Sequence, residues 1–137
     1  MMRPAICLLL LSTSASVAGT SEGYGGGGPF AIYDPIVARH NASGELFRIT
    51  GHCQSSCTLF LGIRNVCIER GAQLLFHAGH DRRMNVLPWA VRHKMNHYNS
   101  RLRRYLAAGH YMETVQFHTI PGSALVDKFG YRECPKR

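Results

Sequence analysis

The sequence predicts a small α/β domain, and three observations carry that expectation. From residue 88 to 108, Val91, Met95, Tyr98, Leu102 and Leu106 recur every three or four positions, the period of an amphipathic helix. Short apolar runs at residues 45–50, 66–68 and 73–77 read as strands bounded by turn residues. Helical and strand segments alternate with no internal repeat, the order expected of α/β.

Taken in order, the 137-residue chain opens with Met1-Met2-Arg3, an apolar run from Ala5 to Leu11, and Ser16-Val17-Ala18. A basic start, a short apolar stretch and a small-x-small site are the parts of a secretory signal peptide, so residues 1–18 are expected to be removed on export. Residues 19–29, with Gly25 to Gly28 in succession, are expected to form a glycine-rich flexible segment. Residues 30–137 are then one domain.

Apolar groups at 30, 32, 33, 36 and 37 lie on one helix face, with Pro35 in a first turn or at a kink. Asn41-Ala42-Ser43-Gly44 ends that helix. Leu46, Phe47 and Ile49 mark a strand, residues 51–54 a turn, and residues 55–61 a short apolar helix. The strands at 66–68 and 73–77 enclose the turn Glu69-Arg70-Gly71. One long helix is expected over 88–108, its polar face carrying Arg92, Lys94, Arg101, Arg103 and Arg104 and its end at Gly109. Leu125, Val126, Phe129 and Tyr131 are placed to pack back on the core.

Four cysteines follow the leader: Cys53, Cys57, Cys67 and Cys134. In an exported chain an even number points to two disulfides, for which three pairings exist. The preferred pairing joins Cys57 to Cys67 and Cys53 to Cys134, the second as an anchor for the tail. Lys and Arg total 16 against 8 Asp and Glu, a formal net charge of +8 of which Arg3 supplies one. Such a surface attracts anionic polymers and membrane surfaces. No aromatic platform interleaves with the basic face, and export argues against nucleic acid. No segment after the leader is apolar enough to span a membrane.

The chemistry concentrates in Gly51-His52-Cys53-Gln54-Ser55-Ser56-Cys57-Thr58 and, further on, Leu75-Phe76-His77. A serine after a strand and before a helix is presented beside outward-pointing backbone N–H groups, which suits an oxyanion. It becomes a nucleophile when an imidazole takes its proton. The plainer alternative is an N-cap serine and a structural histidine. Likewise Gly25 to Gly28 either brings backbone N–H groups close to a ligand or serves as a linker. His93 and His97 stand at i and i+4, a zinc-binding spacing, but Lys94 occupies the place of the metalloprotease glutamate. His77-Ala78-Gly79-His80 is a looser pair. The sequence assigns no metal and no cofactor.

On these residues, from Gly25 to about His80, the chain resembles the Clp protease proteolytic subunit and the wider Clp/crotonase superfamily, most of all its small exported bacterial members. The shared order is the glycine segment, Ala31-Ile32-Tyr33-Asp34, Gly51-x-x-x-Ser55, then Leu75-Phe76-His77. The stretches Cys53 to Thr58 and Val66-Cys67, and the ending Phe129 to Cys134, are similar to the exported branch. The resemblance implies a shortened Clp/crotonase-like domain, a small sheet flanked by helices. In it Ser55 is the nucleophile, His77 the general base, and the Ser56 N–H with Gly26 or Gly27 the oxyanion site.

Three departures stand out. The strand–helix units that precede the glycine segment in the family are missing, and the spacing to Tyr33-Asp34 is shorter. The family's triad aspartate falls near His118, so the nearest acids are Asp127, taken as the triad acid, and Asp81. A triad without its acid loses several orders of magnitude in rate. The leading expectation is therefore an exported serine hydrolase acting on a peptide or ester. The competing one is a catalytically inactive binding module for an anionic partner.

Overall fold

The strands of this protein are two to four residues long, and three of their four pairings are parallel. A computed structural model describes residues 19–137; the expected leader, 1–18, lies outside the described residues. Strands β1 (Gly19–Thr20), β2 (Phe47–Ile49) and β4 (Val66–Ile68) form one parallel sheet in the order β1-β2-β4. Strands β3 (His52–Gln54), β5 (Gln73–Phe76) and β6 (His118–Pro121) form a second, with β3 and β5 parallel and β6 antiparallel to β5. Phe47, Ile49, Ile68, Leu74 and Phe76 are all buried, as strands covered on both faces require.

The connectivity is regular. The pair β2–β3 sends one strand to each sheet and is followed by a 3-10 helix, Ser55–Gly62. The pair β4–β5 does the same and leads to α2 (Pro88–Asn96). Helix α1 (Phe30–Ser43) precedes the first pair, and α3 (Ser100–Ala108) and α4 (Gly122–Asp127) follow the second. Every residue from Ser56 to Leu61 is buried, as expected of a helix apolar all round. It packs against α1, α2, β3, β4 and β5 and stands at the centre of the core. The α/β expectation holds. Among the described residues no helix is long and apolar enough to cross a membrane.

Several elements differ from expectation for identifiable reasons. The helix expected over 88–108 is two helices, because Asn99 caps the second: its side chain accepts the Leu102 N–H at 3.0 Å, and its amide donates to the Phe129 carbonyl at 2.7 Å. An N-cap residue has non-helical backbone, so the chain breaks there. Helix α1 contains Pro35 within its length and runs on to Ser43. It ends at Gly44, whose left-handed backbone (φ 72°) turns its N–H back to the His40 carbonyl. Its inward face is Tyr33, Val37 and His40, and Ile32 is exposed. Residues 52–54, expected as a turn, are strand β3. The glycine-rich stretch, expected to be flexible, starts with β1 and is tied to β3 by the Gln54 N–H, which donates to the Gly25 carbonyl at 2.9 Å.

Four cysteines do form two disulfides, which fits an oxidising compartment, but the pairing is Cys53–Cys57 and Cys67–Cys134. The tail is anchored as expected, to β4 rather than to β3. Glu133 pairs with Ile68 in parallel register, and the Cys134 N–H donates to the Ile68 carbonyl, which sets Cys134 beside Cys67. Cys53, at the inward side of β3, meets Cys57 just after the strand turns into the 3-10 helix.

Loop-closure entropy separates the two bridges. The Cys67–Cys134 link spans 67 residues and is expected to contribute about 4 kcal/mol, against about 2 kcal/mol for the five-residue Cys53–Cys57 loop. Urea unfolding of the Cys67→Ala/Cys134→Ala and Cys53→Ala/Cys57→Ala double variants measures both. A larger loss from the short loop would contradict that ordering.

Candidate active site

Ser55 lies where β3 ends and the 3-10 helix begins, and its backbone is left-handed, with φ 55°. A side-chain-bearing residue in that region is strained and persists only where its surroundings over-determine it. Here they do. The Cys53–Cys57 bridge closes around it. Thr58 Oγ1 donates to the Ser55 carbonyl at 2.7 Å and accepts from the buried Tyr98 hydroxyl at 2.6 Å. From the other side, the Gln54 side-chain amide donates to the Gly26 carbonyl at 3.0 Å, and Ser56 Oγ donates to the Gly28 carbonyl. The glycine segment approaches so closely that a Cβ at Gly27 would sit 2.9 Å from that of Ser55.

Ser55 and His77 line one cleft of about 710 Å³, a size suited to a small-molecule or peptide segment. Ser56, Gly26 and Gly28 share its polar side. Phe30, Met84, Trp89 and Phe117 supply an apolar wall, and the last three are among the exposed large apolar residues. The 3-10 helix has no side-chain cap at its N-terminus, the end of a helix at which backbone N–H groups can meet an anion. No protein acceptor among the described residues takes the Gly26 N–H, whereas the Gly27 N–H turns to the Tyr24 carbonyl at 3.4 Å.

His77 follows β5 directly and is buried, with Nδ1 unpartnered. No hydrogen bond joins it to Ser55. Burial, the Lys94 ammonium and His80 depress its pKa to about 4. None of the expected acids reaches it. Asp127 is exposed and forks onto Arg70 at 2.7 and 3.0 Å, which holds its carboxyl below the usual range, and it does not line the cleft. Asp81 does line the cleft, but its carboxylate closes its own turn, accepting from the Arg83 N–H, the Asn85 N–H and the Asn85 side chain. His118 opposes Phe76 in the β5–β6 pairing, stacks on Tyr111 at 3.5 Å and bonds the Tyr105 hydroxyl.

Lys94 was expected on the exposed basic face. It is instead 1 % exposed, lines the same cleft, and donates through Nζ to the His77 carbonyl at 2.9 Å. Burial pushes its pKa down to about 8. The clue was in the periodicity: Lys94 stands three residues after Val91 and four before Tyr98, on the apolar stripe itself. The His77–His80 pair has ring centroids 5.3 Å apart.

No family model, no curated protein and no solved structure matches this chain.

The depressed His77 pKa has a sign that stability measurements can read. Between pH 6.5 and about 4 the unfolded chain takes up a proton that folded His77 refuses, so its contribution, full above 6.5, is lost as pH falls through that window. The loss is expected to be about 3 kcal/mol, seen as the difference between wild type and His77→Gln in urea unfolding. Parallel curves for the two proteins would contradict it.

Proposed function

We propose that the protein is an exported, shortened Clp/crotonase-like serine hydrolase of peptidase or esterase type, with Ser55 as nucleophile. The observation that carries this reading is the strained Ser55 elbow opening into a cleft that also holds His77 and Lys94. Strain of this kind belongs to sites where geometry serves chemistry. Two strand pairs, each divided between the two sheets and each followed by a helix, support the superfamily assignment.

In this reading Ser55 Oγ attacks a substrate carbonyl carbon, and its proton passes to a base in the cleft. The Ser56 and Gly26 N–H groups face the oxyanion that forms. The apolar wall of Phe30, Trp89 and Phe117 favours a substrate with an apolar acyl group or side chain. His77 is the base assigned from the sequence. A second reading gives that role to Lys94, because no carboxylate reaches His77 and a buried lysine borders the same cleft; serine–lysine pairs are a known variant of triad chemistry. The two disulfides support action outside the cytoplasm, in the periplasm or the medium.

A fluorophosphonate probe on the oxidised protein without its leader tests the proposal. The wild type is expected to be labelled at Ser55, and Ser55→Ala to take up no label. The base is the residue, His77→Ala or Lys94→Met, whose loss slows labelling by about a hundredfold or more. A wild type that stays unlabelled overturns the hydrolase and leaves the anion-binding module. Retention on an anionic matrix that fails in an Arg92→Gln/Arg101→Gln/Arg104→Gln variant would then support that module.

A further inference from the structure

Away from the cleft lining, three side chains from two helices converge on the seam between α1 and α2. Asp34 of α1, His93 of α2 and His97, which caps the C-terminus of α2, each place one ligand atom within 4.8 Å of the others. His93 Nε2 donates to Asp34 Oδ1 at 2.9 Å, and His97 Nε2 lies 4.0 Å from the same oxygen. The i and i+4 spacing puts both imidazoles on one helical face, and the fold brings the carboxylate from 59 residues earlier.

The surroundings orient these groups as a metal would need them. His97 Nδ1 donates to the His93 carbonyl at 2.8 Å, which leaves the Nε2 lone pair facing Asp34. Ligating histidines are oriented in this way by a carbonyl behind the ring. Gly62, at the end of the 3-10 helix, makes room for that ring, since a Cβ there would come within 2.6 Å of His97 Cδ2. Phe30 holds the His93 ring at a centroid distance of 4.6 Å. A plain Asp34–His93 ion pair accounts for one contact and leaves His97 Nε2, already the correct tautomer, with no hydrogen bond among the described residues.

We propose that Asp34, His93 and His97 form a binding site for a divalent transition metal of the zinc class. Two imidazoles and one carboxylate are zinc ligands. Tetrahedral coordination at about 2.0–2.2 Å sets ligand atoms about 3.3 Å apart, and the observed 2.9 and 4.0 Å bracket that value. Side-chain adjustment closes the set, and the fourth position falls to water. Binding through His93 Nε2 requires the neutral imidazole to carry its proton on Nδ1 instead. The ion would staple α1, which carries Phe30, to α2, which carries Ala90 and Lys94, and so clamp two walls of the cleft. The site stands independently of the hydrolase reading.

The test uses oxidised protein without its leader, stripped with a chelator and titrated with zinc chloride in a calorimeter. One equivalent is expected to bind with a Kd below about 10 μM and to raise Tm. Cobalt(II) in its place should give the visible bands of a tetrahedral site. His97→Gln and Asp34→Asn, on different helices, are each expected to weaken binding at least tenfold and to abolish the Tm rise. His110→Gln, at an exposed histidine elsewhere, should change neither. No stoichiometric binding to the wild type, or undiminished binding in both His97→Gln and Asp34→Asn, overturns the proposal.

Discussion

The left-handed turn at Ser55 is the constraint around which the rest of this structure is organised. A non-glycine residue there costs about 1–3 kcal/mol, and the neighbourhood is built to hold it. The strand before it is tied to the glycine segment, the helix after it is buried on every side, and Cys53–Cys57 joins the two across the turn. Tyr98 and Thr58 reach up from the core to fix its carbonyl.

Electrostatics in the cleft follow from what burial admits. His77 and Lys94 are both buried, which disfavours charge on each, and the Lys94 ammonium further disfavours charge on His77. The acids that might have served are spent on local structure: Asp127 on Arg70, Asp81 on its own turn. The cleft therefore sets a buried imidazole and a buried lysine against an apolar wall.

Helix α2 serves three surroundings at once, which explains its shortness. Ala90 and Lys94 face the cleft, His93 and His97 face α1, and Arg92 faces solvent. Just past the helix, Tyr98 bonds Thr58. Asn99 stops it, starts α3, and clamps the tail through Phe129 and Tyr131. One residue thus couples the elbow's support to the C-terminal segment that Cys134 anchors.

Local chemistry was legible in the sequence, and long-range pairing was not. The apolar runs announced β2, β4 and β5 because buried strands need contiguous apolar residues, and the serine between a strand and an apolar helix marked the elbow. Gly44 stopped α1 because glycine adopts left-handed backbone freely. Cysteine count alone required two disulfides. What joins to what depended on register: the tail runs beside β4, so Cys134 met Cys67 and left Cys53 for its near neighbour. Lys94 read as a surface cation because charge outweighs periodicity in a sequence, and only packing against residues 77–79 buried it. Asp34 came to His93 and His97 for the same reason. Side chains far apart in the chain meet where helices cross, and the crossing is a property of the core as a whole.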